Sequence, residues 1–193
     1  FPQITGWIRA NAEDFKLVEA PVDAPGRENW RDVVAHKPGC LRLDHVLFGK
    51  YMVRLERENA LPRIVITRLA DNSERAIEFA EEAYSLGLVP GYEYDTDTLR
   101  FSYSSPTTPA QVYAYNMADD TRVLRKTQEV PSGPDPDDYV TRRLMAPADD
   151  GETIPVTLLY RKSTPLDGSA PVLLYGYGAY GISIPAGFST NRL

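Results

Sequence analysis

The chain has 193 residues, 42 % of them hydrophobic, enough to bury the core of one ordinary domain or of parts of two. Its 21 Lys+Arg against 27 Asp+Glu give a formal charge of -6, and the basic residues are scattered, so nucleic acid is not expected as a partner. Phe1 to Ala10 lack the basic start and apolar stretch of a signal, and no window approaches the roughly 20 apolar residues that span a bilayer, so no membrane partner is expected.

Twelve Tyr, 16 Pro and 13 Gly describe short extended segments separated by turn residues, the composition of a β-rich fold. In chain order, Ile4 to Ala10 and Phe15 to Ala20 read as strands, and Pro21 to Arg27 as a loop. Trp30 to His36 fits either a short strand or a single helical turn. Four runs follow: Leu41 to Leu47, Tyr51 to Arg57, Arg63 to Leu69 and Arg75 to Phe79, with turns at Gly49-Lys50, Asn59 to Pro62 and Asp71 to Ser73. The plan then repeats in Tyr84 to Val89, Leu99 to Ser104, Gln111 to Tyr115 and Arg122 to Lys126. Starts at Leu41 and Tyr84 give a period of about 43 residues, within the range of four-stranded propeller blades.

Val130 to Asp138 concentrates prolines, which fix φ and lack a donor N–H, and it reads as a linker between domains. Beyond it, Tyr139 to Met145 and Thr153 to Tyr160 form two strands around Asp150-Gly151, a hairpin signal. Pro171 to Tyr175 is a third apolar run, expected as a strand, that enters a glycine-rich segment.

That segment, Gly176-Tyr177-Gly178-Ala179-Tyr180-Gly181, matches G-x-G-x-x-G in form only. A dinucleotide site needs a helix to begin at the glycines and an acidic residue about 20 positions on, whereas Ile182 to Pro185 reads as extended chain. On pattern alone, a tyrosine-glycine loop that merely turns a strand remains open.

The longer string Leu173 to Ile184, with Tyr175-Gly176-Tyr177-Gly178 at its centre, resembles the start of the peptidase domain in the prolyl oligopeptidase family of serine peptidases. Tyr103 to Pro109 resembles that family's late-propeller Ser-Ser-x-Thr-Thr-Pro segment, Glu129-Val130-Pro131 its domain junction, and Ala186 to Leu193 the run after the tyrosine loop. Tyr180, where prolyl oligopeptidase itself carries phenylalanine, favours the oligopeptidase B branch.

The resemblance implies a mainly β chain: antiparallel four-stranded β-propeller blades followed by the first antiparallel strands of an α/β-hydrolase domain. Residues 1–132 would hold two to three late blades, and 133–193 the linker and the truncated start of the peptidase domain. It further implies cleavage of short peptides through an acyl-enzyme, after Arg or Lys in this branch. By the same resemblance Tyr177 donates its phenolic hydroxyl to the oxyanion, and Tyr180 lines the pocket for the substrate segment ahead of the cleaved bond.

The chain holds no G-x-S-x-G nucleophile elbow. Ser169 follows Asp167-Gly168 and reads as a turn residue, His36 as a loop residue and His45 as a half-buried strand side chain. In the family the triad lies C-terminal to the tyrosine loop, so this chain alone is expected to be inactive. No metal or other cofactor is expected, because one Cys and two His offer no ligand spacing. The adjacent acidic pairs Glu81-Glu82, Asp119-Asp120 and Asp149-Asp150 read as solvated surface. Lone Cys40 reads as a small buried apolar group and fits a reducing, cytoplasmic setting.

Phe1 and Leu193 read as the ends of a piece cut from a longer protein. Blades without their neighbours expose strand edges, which predicts self-association, and the peptidase-side strands should be the least stable part. Two further readings stay open: a stand-alone propeller-derived binding module, and a related hydrolase acting on esters.

Overall fold

The structure is a computed structural model that describes residues 3–89, 91–131, 133 and 135–193. Among these, thirteen strands form four antiparallel sheets, with no element longer than a single 3-10 turn as helix.

The first sheet holds β1 (Gln3–Ile8), β2 (Lys16–Pro21) and β3 (Arg31–Val34) in order. Trp30 to His36, open in sequence between strand and helical turn, holds the strand β3, and a 3-10 turn at Arg27–Asn29 precedes it.

The second sheet is the first complete blade, built in sequence order from β4 (Cys40–Leu47), β5 (Tyr51–Glu58), β6 (Leu61–Arg68) and β7 (Glu74–Ala76). The β5–β6 connection is a two-residue hairpin: Glu58 pairs with Leu61, and both Asn59 and Ala60 sit in the left-handed region at φ 50° and 59°. Two successive left-handed residues match the twist of the flanking strands, which is why short hairpins select that turn. The last run is shorter than expected: β7 ends at Ala76, Ile77 makes a last backbone bond to the Ile64 carbonyl, and its side chain is buried in the core.

The third sheet repeats the plan with β8 (Ser85–Val89), β9 (Thr98–Ser104), β10 (Gln111–Asn116) and β11 (Arg122–Thr127). The core lies between the two blades. One face of β5 and β6 offers Tyr51, Val53, Leu55, Ile64 and Ile66, and these pack with Leu99, Phe101, Tyr103 and Tyr115 of the next blade. Phe79 joins them across the gap, stacking on Tyr103 at 5.1 Å and meeting Phe101 edge-on at 5.8 Å. Such ring pairs contribute about 0.5–1.5 kcal/mol each beyond their buried area.

The opposite face of β5 is ionic. A β-bulge between Arg42 and Asp44 lets Arg42 pair with Glu56 and His45 with Arg54, so residues three apart on β4 share a face with residues two apart on β5. This face looks toward the first sheet: the His45 ring meets Trp7 edge-on at 5.0 Å, and Arg42 donates to the Ala35 carbonyl. Strand β5 is covered on both sides, and six of its eight residues are buried.

Strand β11 is followed, in the proline-rich stretch, by a turn closed by Gly133 N–H on the Val130 carbonyl; Ser132 and Pro134 lie outside the described residues. Asp135 caps a 3-10 turn at Pro136–Asp138 by accepting from the Asp137 amide. A long hairpin follows, β12 (Tyr139–Pro147) with β13 (Thr153–Arg161), closed around Gly151 at φ 90°.

The expected strand over Pro171 to Tyr175 does not form. Residues 171–178 have no ladder partner among the described residues, and Val172, Leu173, Leu174 and Tyr175 are 78, 90, 87 and 66 % exposed. An apolar run becomes a strand only when another backbone meets its N–H and C=O groups, and here none does.

Candidate functional site

The tyrosine-glycine loop is held by a single tight turn. Ile182 N–H donates to the Ala179 carbonyl at 3.1 Å, and the two residues inside the turn, Tyr180 and Gly181, take φ 57° and 68°. Gly181 adopts that conformation at no steric cost, while Tyr180 bears the strain of a side chain in the left-handed region. Tyr177 is 49 % exposed and Tyr180 93 %. Behind them, the Arg192 guanidinium stands 5.8 Å over the Tyr175 ring. A chain exposed throughout 171–182 becomes half-buried again at Ser183 and from Ala186 to Ser189.

The remaining nucleophile and base candidates are held apart by their own partners. Ser169 donates to the Asp167 carboxylate at 2.6 Å in a local turn. His36 accepts from the Asp14 amide at 3.4 Å, and His45 bonds the Thr5 hydroxyl at 3.2 Å. Burial pushes the His45 imidazole below its ordinary value, with Asp44 opposing only in part. No group of three or more His, Cys, Asp or Glu among the described residues could hold a metal ion.

Cys40 is buried, as expected, but it has polar company: its thiol lies 3.5 Å from Glu56 and 3.3 Å from Arg42. Burial and the Glu56 carboxylate push the thiol up, outweighing Arg42, so no nucleophilic thiolate arises here. Glu56 is the centre of a cluster that sequence reasoning missed. Its side chain is fully buried and takes Arg54 Nε at 2.9 Å, Arg63 Nε at 3.2 Å and an ion pair with Arg42. The signal was present in the alternation Arg54, Glu56 on β5 opposite Arg42 and Arg63, which reads equally well as a solvated face.

Of the acidic pairs, Asp119-Asp120 and Asp149-Asp150 are exposed. Glu81 departs from expectation: it is half-buried and accepts from the Tyr103 and Thr108 hydroxyls, both at 2.8 Å. Ser105, fully buried, accepts from the Thr107 and Thr108 amides, so the Ser-Ser-x-Thr-Thr-Pro segment is a turn folded around one serine hydroxyl. Next to it a cleft of about 410 Å³ separates the last blade from β12, lined by Glu81, Glu82, Thr108, Asp137 and Tyr139 among others. Tyr177 and Tyr180 are not part of it.

Successive four-stranded antiparallel sheets packed face to face define β-propeller blades. In agreement, residues 7–128 match the family model described as prolyl oligopeptidase, N-terminal beta-propeller domain, and the chain belongs to that family of serine peptidases. Among curated relatives, it is 46 % identical over 190 residues to dipeptidyl aminopeptidase BI of Pseudoxanthomonas mexicana, covering 96 % of this chain and 26 % of the relative. Among solved structures, oligopeptidase B from Leishmania major superposes with a TM-score of 0.87 at 27 % identity, covering 99 % of this chain and 28 % of that one. Oligopeptidase B from Trypanosoma brucei with covalently bound antipain, in its closed form, gives 0.85 at 28 % identity, covering 99 % and 30 %. The chain thus spans about a quarter of the length of the curated relatives it matches. No helix among the described residues is long and apolar enough to cross a membrane.

Proposed function

We propose that this chain is the late-propeller and early-catalytic portion of a serine oligopeptidase that hydrolyses short peptides through an acyl-enzyme. Residues 1–132 contribute blades, and 133–193 contribute the linker and the first strands of an α/β-hydrolase peptidase domain. The supporting observation is the tyrosine loop: a phenol at Tyr177, half-exposed and beside a tight glycine turn, in a chain of this family.

When a nucleophile attacks the scissile carbonyl, negative charge collects on its oxygen. The Tyr177 O–H donates to that oxygen, and the bond strengthens as the charge develops, which is the condition for raising kcat and not merely binding. Tyr180, almost fully exposed, meets the substrate segment ahead of the cleaved bond. With no G-x-S-x-G, this chain supplies the oxyanion donor but not the nucleophile, and by itself it does not turn over peptides.

Likeness to the two oligopeptidase B structures supports cleavage after Arg or Lys. The higher identity to a dipeptidyl aminopeptidase supports a second reading, release of dipeptides from a free amino terminus. Arg-containing peptide amides with free and with blocked amino termini separate the two, since only an endopeptidase cleaves the blocked substrate. A cytoplasmic setting is part of the proposal and is supported by Cys40 being a free, buried thiol. So is self-association of the isolated chain through the unpaired edges of its sheets.

The test of the central reading is Tyr177→Phe in the full-length protein. Loss of one oxyanion donor lowers kcat by about 10²–10³-fold with KM little changed. Retained turnover in a correctly folded variant would overturn the assignment.

A further inference from the structure

The segment after the tyrosine loop does not leave the propeller. Arg57 Nη1, at the end of β5, donates to the Ser183 hydroxyl at 3.3 Å across 126 residues of sequence. This is the hydrogen bond that the Arg57 side chain makes among the described residues. Four residues on, Gly187 passes so close to the third sheet that a Cβ there would stand 3.3 Å from Ser104 Oγ and 3.7 Å from Ser85 Cβ. Ser85 and Ser104 are themselves a cross-strand pair of β8 and β9. Arg57 and Ser104 both lie at the C-terminal ends of the second strands of successive blades, so the two anchors sit on the same rim.

We propose that Arg57 is a positioning residue: with the Ser85–Ser104 pair under Gly187 it straps residues 183–187 to the propeller rim and thereby fixes Tyr177 and Tyr180. The inference rests on the oxyanion reading of Tyr177. Its physical basis is the distribution of burial. From 171 to 182 the chain is exposed throughout, and among the described residues the turn at Ala179–Ile182 is its one backbone hydrogen bond, with the Arg192–Tyr175 ring contact the further restraint. Ser183 directly follows that turn, so the Arg57 bond is the first point at which the loop is referred to a rigid body. A donor in an oxyanion site works only if its position is set before the charge appears. Misplacement by about 1 Å, caused far from the chemistry, is enough to lose of the order of 10²-fold. Blade geometry and loop geometry are therefore coupled through one guanidinium.

The experiment uses the full-length protein and an Arg-containing peptide amide. Arg57→Ala is expected to lower kcat by about tenfold or more with KM within about twofold, and Arg57→Lys, which restores one donor, to recover part of the loss. Gly187→Val, pressing a branched side chain against Ser104, is expected to act in the same direction without touching Arg57. In the Tyr177→Phe background both changes should have little further effect on kcat, because the donor they position is gone. Faster amide exchange in peptides spanning 175–187 should accompany Arg57→Ala, with the blade strands unchanged. Unchanged kcat and exchange in Arg57→Ala, with Tyr177→Phe still impaired, overturns the strap and leaves the oxyanion reading standing. Equal losses with and without the Tyr177 hydroxyl also overturn it, since Arg57 would then act on something else. Full activity of Tyr177→Phe overturns the oxyanion reading, and the positioning role with it.

Discussion

Glu56→Gln tests what the ionic face of β5 contributes, because it changes charge at nearly constant volume. The carboxylate is 0 % exposed and receives Arg42, Arg54 and Arg63, while the Arg42 and Arg54 side chains are themselves only 6 and 3 % exposed. Without it, the carboxylate left to Arg54 is Glu74, at 2.8 Å but on a side chain half open to water, and Arg42 is left as a buried cation. Removing one member of a buried ionic set costs about 3–5 kcal/mol, most of it the penalty of the charge left behind. A carboxamide oxygen still accepts one N–H, which places the glutamine variant near the lower end, about 3 kcal/mol. At a factor of ten per about 1.4 kcal/mol, amides opening through this blade should exchange about 10²-fold faster. Hydrogen exchange on peptides covering 40–68 of the full-length protein reads this directly. Glu74→Gln, at the solvent end, is the control and should cost less than about 1 kcal/mol. Exchange in 40–68 that changes no more in Glu56→Gln than in the control would refute the reasoning.

Two further outcomes follow from the same sheet. Burial lowers the His45 pKa below 6.5, so between that lowered value and 6.5 the unfolded chain binds the extra proton and stability rises with pH. The contribution is complete above about pH 6.5 and fades on acidification; His45→Gln should flatten the dependence of melting temperature on pH across that window, and an unchanged slope would count against it. Ala60 holds φ 59° in the β5–β6 hairpin, a conformation that costs a side chain about 1–2 kcal/mol. Ala60→Gly relieves this against a larger unfolded-state entropy and should raise stability by about 0.5–1 kcal/mol, whereas a drop in the urea midpoint would contradict the turn assignment.

Strand positions were legible because two signals coincide in them. Alternation of side chains and turn residues both mark Tyr51 to Arg57 and Leu99 to Ser104, and the observed strands β5 and β9 differ from these by one residue at one end. Pro171 to Tyr175 carries the apolar signal alone, and composition cannot say whether a partner backbone is within reach; here it is not. Glu56 was illegible for a related reason. Arg54 and Glu56 alternate like a wet strand face, and only the bulge at Arg42, which sequence does not announce, turns that face into a closed cluster. The chemistry of the tyrosine loop came from the resemblance of its string to a family, not from periodicity. The strap at Arg57 joins residues too far apart in sequence for any local pattern to link them.

The two faces of the first complete blade solve a problem that repeat folds create for themselves. Successive four-stranded blades have the same shape, so shape alone would let any blade stack on any other, and misassembly between similar units is a common failure of such chains. Here the faces differ in kind. One carries Val53, Leu55, Ile64 and Ile66 and accepts the aromatic side of the next blade. The other carries Arg54, Glu56, Thr67 and the bulge-aligned pair Arg42 and His45, and meets Thr5 and Trp7 of the sheet before it. Stacked in reverse, the blade would set an aromatic cluster against guanidinium groups and deprive Trp7 and Thr5 of His45. Buried charge adds little to stability compared with apolar packing of the same volume, but a misplaced charge is expensive, and that asymmetry is what distinguishes one blade order from another.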